Sequence, residues 1–495
     1  MSDAICLIIP PSAFLLDERV FMSLGILRVA AVLEQSGRSV EMLDLSGVEN
    51  YEQVVGEHAA RSPAAVFGLT VTTPQYPAAT RIVAALRRVR PDARVVLGGP
   101  HVTLVNAAYK HPETGGPRSR AAQAYEQMRA LADVLVAGDG EEAVFAALRP
   151  DAPKLVDADD PASPMFLDDK RLDRLPFPAR QLVDVDSYNY QIDGVRALSM
   201  IAQLGCPFQC GFCGGRRSPS LRRVRMRSSA NVVAEMESLY RAYGVRGFML
   251  YDDELNVNRH MLELMDQVRG LQDRLGVEFR LRGFIKSHIF NDAQAEAMYK
   301  AGFRWILTGF ESGSSRILVN MNKRATRQDN TRCVETARRH GLKVKALMSL
   351  GHPGESEETV ADTRDWLLEA KPDDIDIALI TTYPGTPYYD EAVPLAGRPG
   401  VWAYTFPATG DRLYSCDVDY AQVAEYYKGD PEGGYRSFVF TDQLSPERLV
   451  ELRDSVEREV RAALGIPFNP ARASQRYEHS MGQTELPARI LRRSR

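Results

Sequence analysis

The stretch that decides the fold is LGCPFQCGFCGG, residues 204–215, which carries three cysteines in one short run. Cys206, Cys210 and Cys213 follow the spacing Cys-x3-Cys-x2-Cys, and no fourth cysteine lies near them in the sequence. Three thiolates can bind three irons of a cubane cluster and leave one iron open, whereas a closed four-cysteine site mainly carries electrons. The neighbouring glycines let the backbone bend closely around such a bulky inorganic group.

Two other interpretations of these cysteines stay open from the residues alone. They could belong to a zinc site that a distant histidine completes, or to an inert buried set. Zinc sites usually pair two short Cys/His clusters, and no second pair is visible in this sequence. The spacing therefore favours an iron–sulfur cluster over zinc.

The amino-acid composition is that of an ordinary globular protein. At 495 residues it is too long for one domain, so two or three are expected. A net charge of -4 gives no reason to expect a polyanion-binding surface, and no apolar run is long enough for a spanning helix. Cys6, Cys333 and Cys416 are scattered singly, which argues against disulfides. The start lacks a basic signal-peptide region, and a reducing cytoplasm is expected.

Residues 1–150 alternate short apolar runs with helical patterns. Five strands are predicted, at ICLIIP, SVEMLDL, AAVFGLTV, ARVVLGG and DVLVAG. This alternation predicts a doubly wound parallel sheet with helices on both faces, which binds ligands beyond the carboxyl ends of its strands. Those ends are rich in glycine or hydroxyl groups, and the candidate binding residues there are Ser12, Thr70, Thr72, Gly98, Gly99, Gly138, Asp139, Gly140 and Glu141. None of these loops is a dinucleotide or P-loop motif.

Residues 191–390 contain six strand–helix repeats, and the cysteine run follows the first strand. Six repeats fall short of the eight that close a full barrel, so a partial (βα)6 barrel is predicted, with its reactive residues at the strand ends. The candidate residues at those ends are Asp253, Glu254, Glu311, Ser312, Ser349 and Gly351. Acidic residues there can accept hydrogen bonds strongly, although helix capping remains an alternative for the aspartates.

The cysteine run resembles that of the radical S-adenosylmethionine (SAM) enzymes, and Phe212 matches the aromatic residue that the family places before its third cysteine. The resemblance implies a [4Fe–4S] cluster whose open iron chelates SAM, and reductive cleavage of SAM to a 5′-deoxyadenosyl radical. Glu311 and Ser312 resemble the segment that contacts ribose and methionine. Ser349 and Gly351 begin a turn that resembles the one near adenine. An external electron donor of the flavodoxin or ferredoxin type is also implied.

The loops GLTVTT, LGGPHVT and AGDGEEAV are together similar to the cobalamin-binding domain that precedes many radical SAM cores. Many cobalamin domains carry Asp-x-His-x-x-Gly, whose histidine ligates cobalt, and this chain has no such motif. His58 lies in a helical pattern and is expected on a solvated face, and His101 is expected in a loop or pocket. Cobalamin without a histidine lower ligand from the protein is therefore expected.

The remaining segments are less informative. Residues 151–190 are rich in Asp and Pro and are predicted to form an interdomain linker. Residues 391–495 are predicted to form a mostly helical cap, with a helix that starts at Ser445 and a fraying tail. Several tyrosines of this segment could line a substrate pocket or pack it against the barrel.

The combined resemblance, over roughly residues 1–390, implies a cobalamin-dependent radical SAM enzyme. Methyl transfer to an unactivated carbon of a small, secondary-metabolite-type substrate, by way of methylcobalamin, is the expected reaction. The alternative is cyclisation, ring rearrangement or oxidation without methyl transfer. A methylthiotransferase is disfavoured because its N-terminal domain would need its own cluster cysteines, and a non-catalytic cobalamin sensor would not need the three cysteines. No nucleic-acid partner is expected.

Overall fold

A computed structural model describes residues 4–12, 18–113, 116, 119–423, 436–467 and 490–493. The first part of the chain is a sheet between two helical layers. Its strands are β1 (Ala4–Ile9), β2 (Ser39–Asp44), β3 (Val66–Thr70), β4 (Arg94–Gly98), β5 (Val134–Gly138) and β6 (Leu155–Ala158). Its helices are α1 (Leu24–Gln35), α2 (Tyr51–Ala59), α3 (Tyr76–Val89), α4 (Pro100–Lys110), α5 (Arg120–Leu131) and α6 (Gly140–Ala147).

The six strands run parallel in the order β2-β1-β3-β4-β5-β6. Side chains alternate between the two faces. Along β1, Ile5 and Leu7 face the layer of α1 and α6, whereas Cys6 and Ile8 face the layer of α2 to α5. This doubly wound arrangement confirms the predicted fold. It adds β6, which lies in the segment predicted as a linker.

The second part is a curled half-barrel. Its main strands are β7 (Gln191–Ile192), β8 (Val195–Met200), β11 (Gly247–Leu250), β12 (Arg280–Phe284), β13 (Phe303–Glu311), β14 (Lys343–Leu350) and β15 (Asp374–Leu379). A short antiparallel pair, β9 (Gln203–Leu204) and β10 (Arg225–Met226), flanks the cysteine run. The helices are α7 (Asp169–Leu172) in the preceding segment, then α8 (Pro219–Arg222), α9 (Ser229–Tyr243), α10 (Met261–Leu275), α11 (Asp292–Lys300), α12 (Ser315–Asn320), α13 (Arg327–Arg339) and α14 (Glu357–Ala370).

The half-barrel sheet has the order β15-β14-β13-β12-β11-β8-β7, in which β8 and the five strands beyond it pair in parallel and β7 adds an antiparallel edge. These six parallel strands confirm the predicted partial (βα)6 barrel. Buried ion pairs fix it to the preceding segments. Arg180 contacts Glu235 at 2.6 Å, and Arg225 contacts Asp139 across the interface between the two sheets.

The C-terminal segment adds a small sheet to the predicted helical cap. It contains the predicted long helix, α16 (Pro446–Leu464), whose N-cap Ser445 accepts from the Arg448 amide. It also contains a four-stranded antiparallel sheet that the sequence pattern did not predict, because its strands are short and irregularly spaced. The other elements are α15 (Pro387–Asp390), β16 (Val393–Pro394), β17 (Val401–Thr405), β18 (Arg412–Cys416) and β19 (Val439–Phe440).

The predicted fraying tail lies mostly outside the described residues, and its described residues 490–493 depart from that prediction. Residues Leu491–Arg493 form β20, which pairs antiparallel with β2 at the edge of the first sheet. Arg493 lies 3.1 Å from the buried carboxylate of Glu41, so both backbone pairing and charge hold this strand. Among the described helices, none combines the length and the apolar character needed to cross a bilayer.

Candidate active site

The cysteine loop follows β8 and β9 and is shaped by glycines. Gly205 has φ +85°, and a Cβ there would lie 2.2 Å from the carbonyl oxygen of Arg223. A Cβ on Gly211 would lie 2.4 Å from the ring of Tyr388. The Gly211 amide donates to the carbonyl of Met321 at 2.9 Å. The loop therefore has one tightly packed backbone path, which only glycine permits at these positions.

Buried cations surround the loop. Arg216, Lys286 and Lys323 are all buried, and Lys286 Nζ lies 4.6 Å from the ring centroid of Phe208 within the loop. Burial raises the pKa of Cys213 to about 12, while the positive charge of Arg216 acts in the opposite direction. The bare Cys213 thiol therefore stays protonated, and a positive environment of this kind suits thiolates bound to a metal cluster.

The spacing of the sulfurs argues against zinc. Within the described part of the chain, the three ligand-type side chains whose ligand atoms all lie within 4.8 Å of one another are Cys6, Glu41 and His58, not the three loop cysteines. One tetrahedral zinc, with Zn–S bonds of about 2.3 Å, would hold its sulfurs closer together than that. The three loop thiols are therefore not gathered around one tetrahedral zinc, which agrees with the cluster that their spacing predicts.

A cavity of about 450 Å³ opens beside Cys213 at the carboxyl ends of the half-barrel strands. It contains five of the predicted SAM-contacting residues, which are Phe212, Asp253, Glu254, Glu311 and Ser349. Two other predicted residues do not line it. Ser312 is fully buried and bonds to Thr363, and Gly351 packs against Val439 and Ile380. Ser312 and Gly351 therefore stabilise the structure behind the cavity and do not form its surface.

Glu311 and Lys323 form the main charged pair of this cavity, at 2.9 Å. Burial alone would raise the pKa of Glu311, but Lys323 and hydrogen bonds outweigh it and hold the pKa below its ordinary value. Glu311 adopts φ +65°, a conformation that side chains other than glycine rarely adopt. A Cβ on Gly309 would lie 2.4 Å from its carboxylate. Strain at this position keeps an ionised acceptor directed into the cavity.

A hydrogen-bonded chain links this carboxylate to the cysteine loop. The Ser349 hydroxyl donates to Glu311 at 2.9 Å and lies 2.8 Å from His352 Nε2, and His352 Nδ1 lies 3.3 Å from the Tyr388 hydroxyl. Burial lowers the pKa of His352 to about 3, so the imidazole is neutral. Because Tyr388 also packs against Gly211, this chain fixes the loop and the cavity wall together.

A second cavity, of about 360 Å³, lies along the carboxyl edge of the first sheet and between it and the half-barrel. Seven of the predicted cobalamin-contacting residues line it, namely Thr70, Gly98, Gly99, Gly138, Asp139, Gly140 and Glu141. Its inner part is aliphatic and follows the face of the sheet that carries Ile5, Leu7, Val96 and Val136. Gly99 has φ +99° and Gly138 has φ +82°, with no room for a Cβ at either position.

We call this second cavity the groove, and its shape fits a corrinoid. The polar, glycine-lined mouth can approach a flat ring closely, and the apolar inner part can bury a nucleotide base. A Cβ on Gly25 of α1 would meet nothing within 4 Å, so the groove has free space opposite the sheet. Arg28, which the sequence did not single out, also lines the groove, and burial lowers the pKa of its guanidinium.

Three predicted groove residues have other roles or lie elsewhere. The Ser12 amide donates to Glu18, and Thr72 caps a short turn through Gln75, so neither lines the groove. Asp139 does line it, but its carboxylate also accepts from the Leu167 amide at 2.9 Å and pairs with Arg225. Asp139 therefore connects the two domains as well as forming the groove wall.

Neither histidine considered in the sequence lines the groove. His101 is buried in α4, where it bonds to Thr73 at 3.0 Å and stacks on Tyr76. The expectation that His58 lies on a solvated face is wrong. It does lie in a helix, α2, but it is buried and pairs with Glu41 at 2.9 Å beside Cys6. His58 is paired with the buried carboxylate of Glu41, which is distant in the sequence, so helix periodicity does not reveal its burial.

The two cavities meet at Asp253, which lines both. Partial desolvation raises the pKa of its carboxyl, and burial raises the pKa of neighbouring Glu254 to about 7. The Asp252 carboxylate instead accepts hydrogen bonds from the backbone amides of Ala202 and Gln203, at 2.8 and 2.7 Å. It holds the strand that enters the cysteine loop, and it does not cap a helix.

Most of the described C-terminal tyrosines pack rather than line a cavity. Tyr404 lies against Tyr388, Tyr414 stacks on Phe440, and the Tyr420 hydroxyl donates to the carbonyl of Thr382. Tyr426, Tyr427 and Tyr435 lie outside the described residues. The packing interpretation is thus the better one for the tyrosines that the structure describes.

Comparison with known protein families agrees with both cavities. Residues 200–367 match the radical SAM superfamily, and residues 18–114 match the B12 binding domain. The chain contains a radical SAM domain preceded by a B12-binding domain. These two family matches confirm the predicted cofactors, which are a [4Fe–4S] cluster with SAM and cobalamin.

Relatives match about two thirds of the chain, and a solved structure shares the fold of nearly all of it. An uncharacterized methyltransferase, PH0819, of Pyrococcus horikoshii is 28% identical over 66% of this chain and 69% of its own length. The anaerobic magnesium-protoporphyrin IX monomethyl ester cyclase of Cereibacter sphaeroides is 27% identical over 66% of this chain and 53% of its own length. The radical SAM methyltransferase TsrM of Kitasatospora setae has the same fold, with a TM-score of 0.63, 20% identity, and coverage of 96% and 93% of the two chains.

Proposed function

We propose that this enzyme transfers a methyl group to an unactivated carbon of a small substrate. Support comes from the relatives, since several are named as methyltransferases, including the tryptophan 2-C-methyltransferase of Streptomyces laurentii, 26% identical over 39% of this chain and 34% of its own length. When bound, the cluster with SAM supplies a radical that can abstract hydrogen, and cobalamin supplies the methyl group. A carbon without an acidic proton requires such chemistry, because a base of ordinary pKa cannot activate it.

The residues of the first cavity would hold the cluster and SAM. The thiolates of Cys206, Cys210 and Cys213 would bind three irons, and the surrounding cations would balance their charge. Glu311 would accept hydrogen bonds from the ribose hydroxyls, since Lys323 keeps it ionised. Phe212, Asp253, Glu254 and Ser349 complete the proposed SAM contacts.

The groove residues would hold the corrinoid. Thr70, Gly98, Gly99, Gly138, Gly140 and Glu141 would contact its polar periphery, and the aliphatic inner part would bury its base. No described histidine lines the groove, so none of the described residues would supply an imidazole to the metal. Placement of the two groups on either side of Asp253 would bring their reactive atoms to one substrate carbon.

The observation that carries this proposal is the meeting of the two cavities at Asp253, with Cys213 on the wall of one and the glycine-lined sheet edge on the other. A protein that only bound or sensed a corrinoid would have no use for the cavity at the cysteines. An external one-electron donor of the flavodoxin or ferredoxin type is proposed as the partner that reduces the cluster.

The test is a turnover assay with the anaerobically reconstituted enzyme, SAM, hydroxocobalamin, a reductant and a set of small molecules. Formation of 5′-deoxyadenosine and S-adenosylhomocysteine, with a product heavier by one CH2 unit, is the expected result. Cys213→Ala should form neither nucleoside. If the mixture that contains every component forms no methylated product, the proposal is contradicted.

A second reaction class, cyclisation or oxidation without methyl transfer, is supported by the match to two anaerobic cyclases, which are 27% and 26% identical over 66% of this chain. The same assay separates the two classes. Cyclisation or oxidation would give 5′-deoxyadenosine without S-adenosylhomocysteine, and a product mass that falls by hydrogens or rises by oxygen.

A further inference from the structure

Three aromatic side chains stand together inside the half-barrel, where the two cavities meet. Tyr251 follows β11, Phe284 ends β12, and Phe21 comes from the segment between β1 and α1. The Phe21 and Tyr251 ring centroids are 4.9 Å apart, and those of Tyr251 and Phe284 are 6.1 Å apart. We call these three residues the aromatic wall.

The aromatic wall faces the barrel interior. Along β11, Phe248 and Leu250 pack outward into the main core, while Met249 joins an inner apolar cluster with Ala197 and Leu307. Tyr251, two residues after Met249, continues on the inner side. Phe21 and Phe284 also pack on this inner cluster, which therefore forms a floor beneath the aromatic wall.

Tyr251 presents an unusual amount of uncovered aromatic surface. It is 46% exposed, although it follows a strand of four buried residues. It lines the groove, while Phe284 lines the cavity beside Cys213. The exposed ring therefore lies at the junction of the two cavities, where a substrate must sit to reach both cofactors.

The ring orientations favour a flat partner. Tyr251 and Phe284 are inclined at 70° to each other, so together they form a corner. A third planar ring that stacks on one of them presents its edge to the other, and both arrangements are the ones that aromatic pairs prefer. A saturated ring of the same size is too thick and lacks the matching charge distribution for both contacts at once.

We propose that the aromatic wall binds the substrate and selects a planar aromatic or heteroaromatic molecule. This inference rests on the proposed function, because it assigns the substrate class to the same site. Tyr251 is the central residue, since it contacts both of the other rings and is the most exposed.

The test uses a matched pair of neutral probes, naphthalene-2-carboxamide and its fully saturated decahydronaphthalene counterpart. Equilibrium dialysis against the full-length enzyme, reconstituted with cluster, SAM and hydroxocobalamin, gives the two dissociation constants. We expect the aromatic probe to bind at least tenfold more tightly. Tyr251→Leu should reduce this preference to nearly none, whereas Tyr251→Phe should retain it.

Tyr299→Leu is the matched control, because Tyr299 is similarly exposed but lies on surface helix α11. It should keep the full preference. If Tyr251→Leu loses iron or cobalamin, Phe21→Leu replaces it as the test variant, and the same loss of preference is expected. Equal binding of the two probes, or a preference that the substitutions leave unchanged, would overturn the inference.

The outcome separates this inference from the proposed function. An enzyme that binds both cofactors and cleaves SAM but shows no aromatic preference would overturn the substrate class alone. An enzyme that does not bind hydroxocobalamin would overturn the proposed function and, with it, the reason for a substrate at this junction.

Discussion

Gly205 is the residue at which the cysteine loop has least room for a side chain. Its left-handed φ and the carbonyl of Arg223 at 2.2 Å from any Cβ both exclude alanine. We expect Gly205→Ala to lose most of its iron and to be destabilised by about 1–3 kcal/mol, because Cys206 would be displaced. Iron and sulfide per chain after anaerobic reconstitution, with a thermal melt, provide the measurement.

Gly270→Ala is the control for this substitution. Gly270 lies within α10, and a Cβ there meets nothing within 4 Å. Alanine should keep the iron and raise stability by about 0.5–1 kcal/mol, since it favours the helix. A fully iron-loaded Gly205→Ala variant would show that the backbone path is less constrained than we infer.

Glu311 gives a prediction with a defined pH dependence. In the folded protein the pKa of the Glu311 carboxyl lies below its ordinary value. The ionised carboxylate therefore stabilises the fold at pH values above the unfolded pKa of about 4.3, and this stabilisation is lost as the pH falls through the folded pKa. Glu311→Gln should cost about 3 kcal/mol at pH 7, because it leaves Lys323 buried without its partner. The difference in the free energy of unfolding between the variant and the wild type, measured by denaturant unfolding, should become smaller below about pH 4.

Glu278→Gln is the comparison for this pH series. Glu278 pairs with Arg280 at 3.1 Å, but its side chain is 79% exposed. Exposed pairs contribute at most about 1 kcal/mol, so this variant should follow the wild type at every pH. A Glu311→Gln variant as stable as the wild type at pH 7 would refute the assigned role of the pair.

At the scale of elements, α16 is a structural support for the barrel rather than a lid. It packs against β15, which is the edge strand of the half-barrel, and covers that edge. Arg461 of α16 is buried, lies 3.1 Å from Asp374 and donates to the carbonyl of Ile375. The helix thus satisfies polar groups along an edge that would otherwise be open to other strands.

We expect Arg461→Ala to destabilise the enzyme by roughly 3 kcal/mol, because it leaves buried acceptors unpaired. Arg458→Ala, on the exposed side of the same helix, should change stability by no more than about 0.5 kcal/mol. Thermal melts of both variants provide the comparison. Similar melting temperatures for the two would mean that α16 does not hold β15.

The elements also show what sequence patterns can and cannot predict. Strand–helix alternation predicted β1 to β5 and the six barrel strands, because period and turn residues are local signals. The cysteine spacing predicted the loop for the same reason. The short C-terminal strands, β20 and the burial of His58 depend on partners distant in the chain, and no local pattern reports them. Lys323, Arg28 and Tyr251 were missed because only the fold brings them to a cavity.

At the scale of the whole molecule, the groove and the half-barrel cavity should be separable by substitution. Gly25 lies in the groove at the start of α1, and a side chain there has free space. Gly25→Leu should therefore fold and keep its iron, but it should weaken hydroxocobalamin binding at least roughly tenfold, equivalent to about 1.4 kcal/mol. Gly270→Leu, on an open surface of α10, should bind it normally.

Equal affinity of Gly25→Leu and wild type for hydroxocobalamin would place the corrinoid outside the groove. A loss of iron together with a loss of cobalamin would mean that the two cavities are not independent. The expected result, loss of cobalamin alone, would assign each cavity to its own group.

The most direct test for the two cofactors is electron paramagnetic resonance of the full-length enzyme, reconstituted without oxygen and reduced, with hydroxocobalamin and with or without SAM. We predict a [4Fe–4S] signal that shifts when SAM is added, together with a cobalt(II) corrinoid signal that lacks nitrogen splitting from a protein imidazole. A preparation that contains zinc in place of iron, or that retains no corrinoid, would show that these two cavities do not hold an open-iron cluster and a cobalamin side by side.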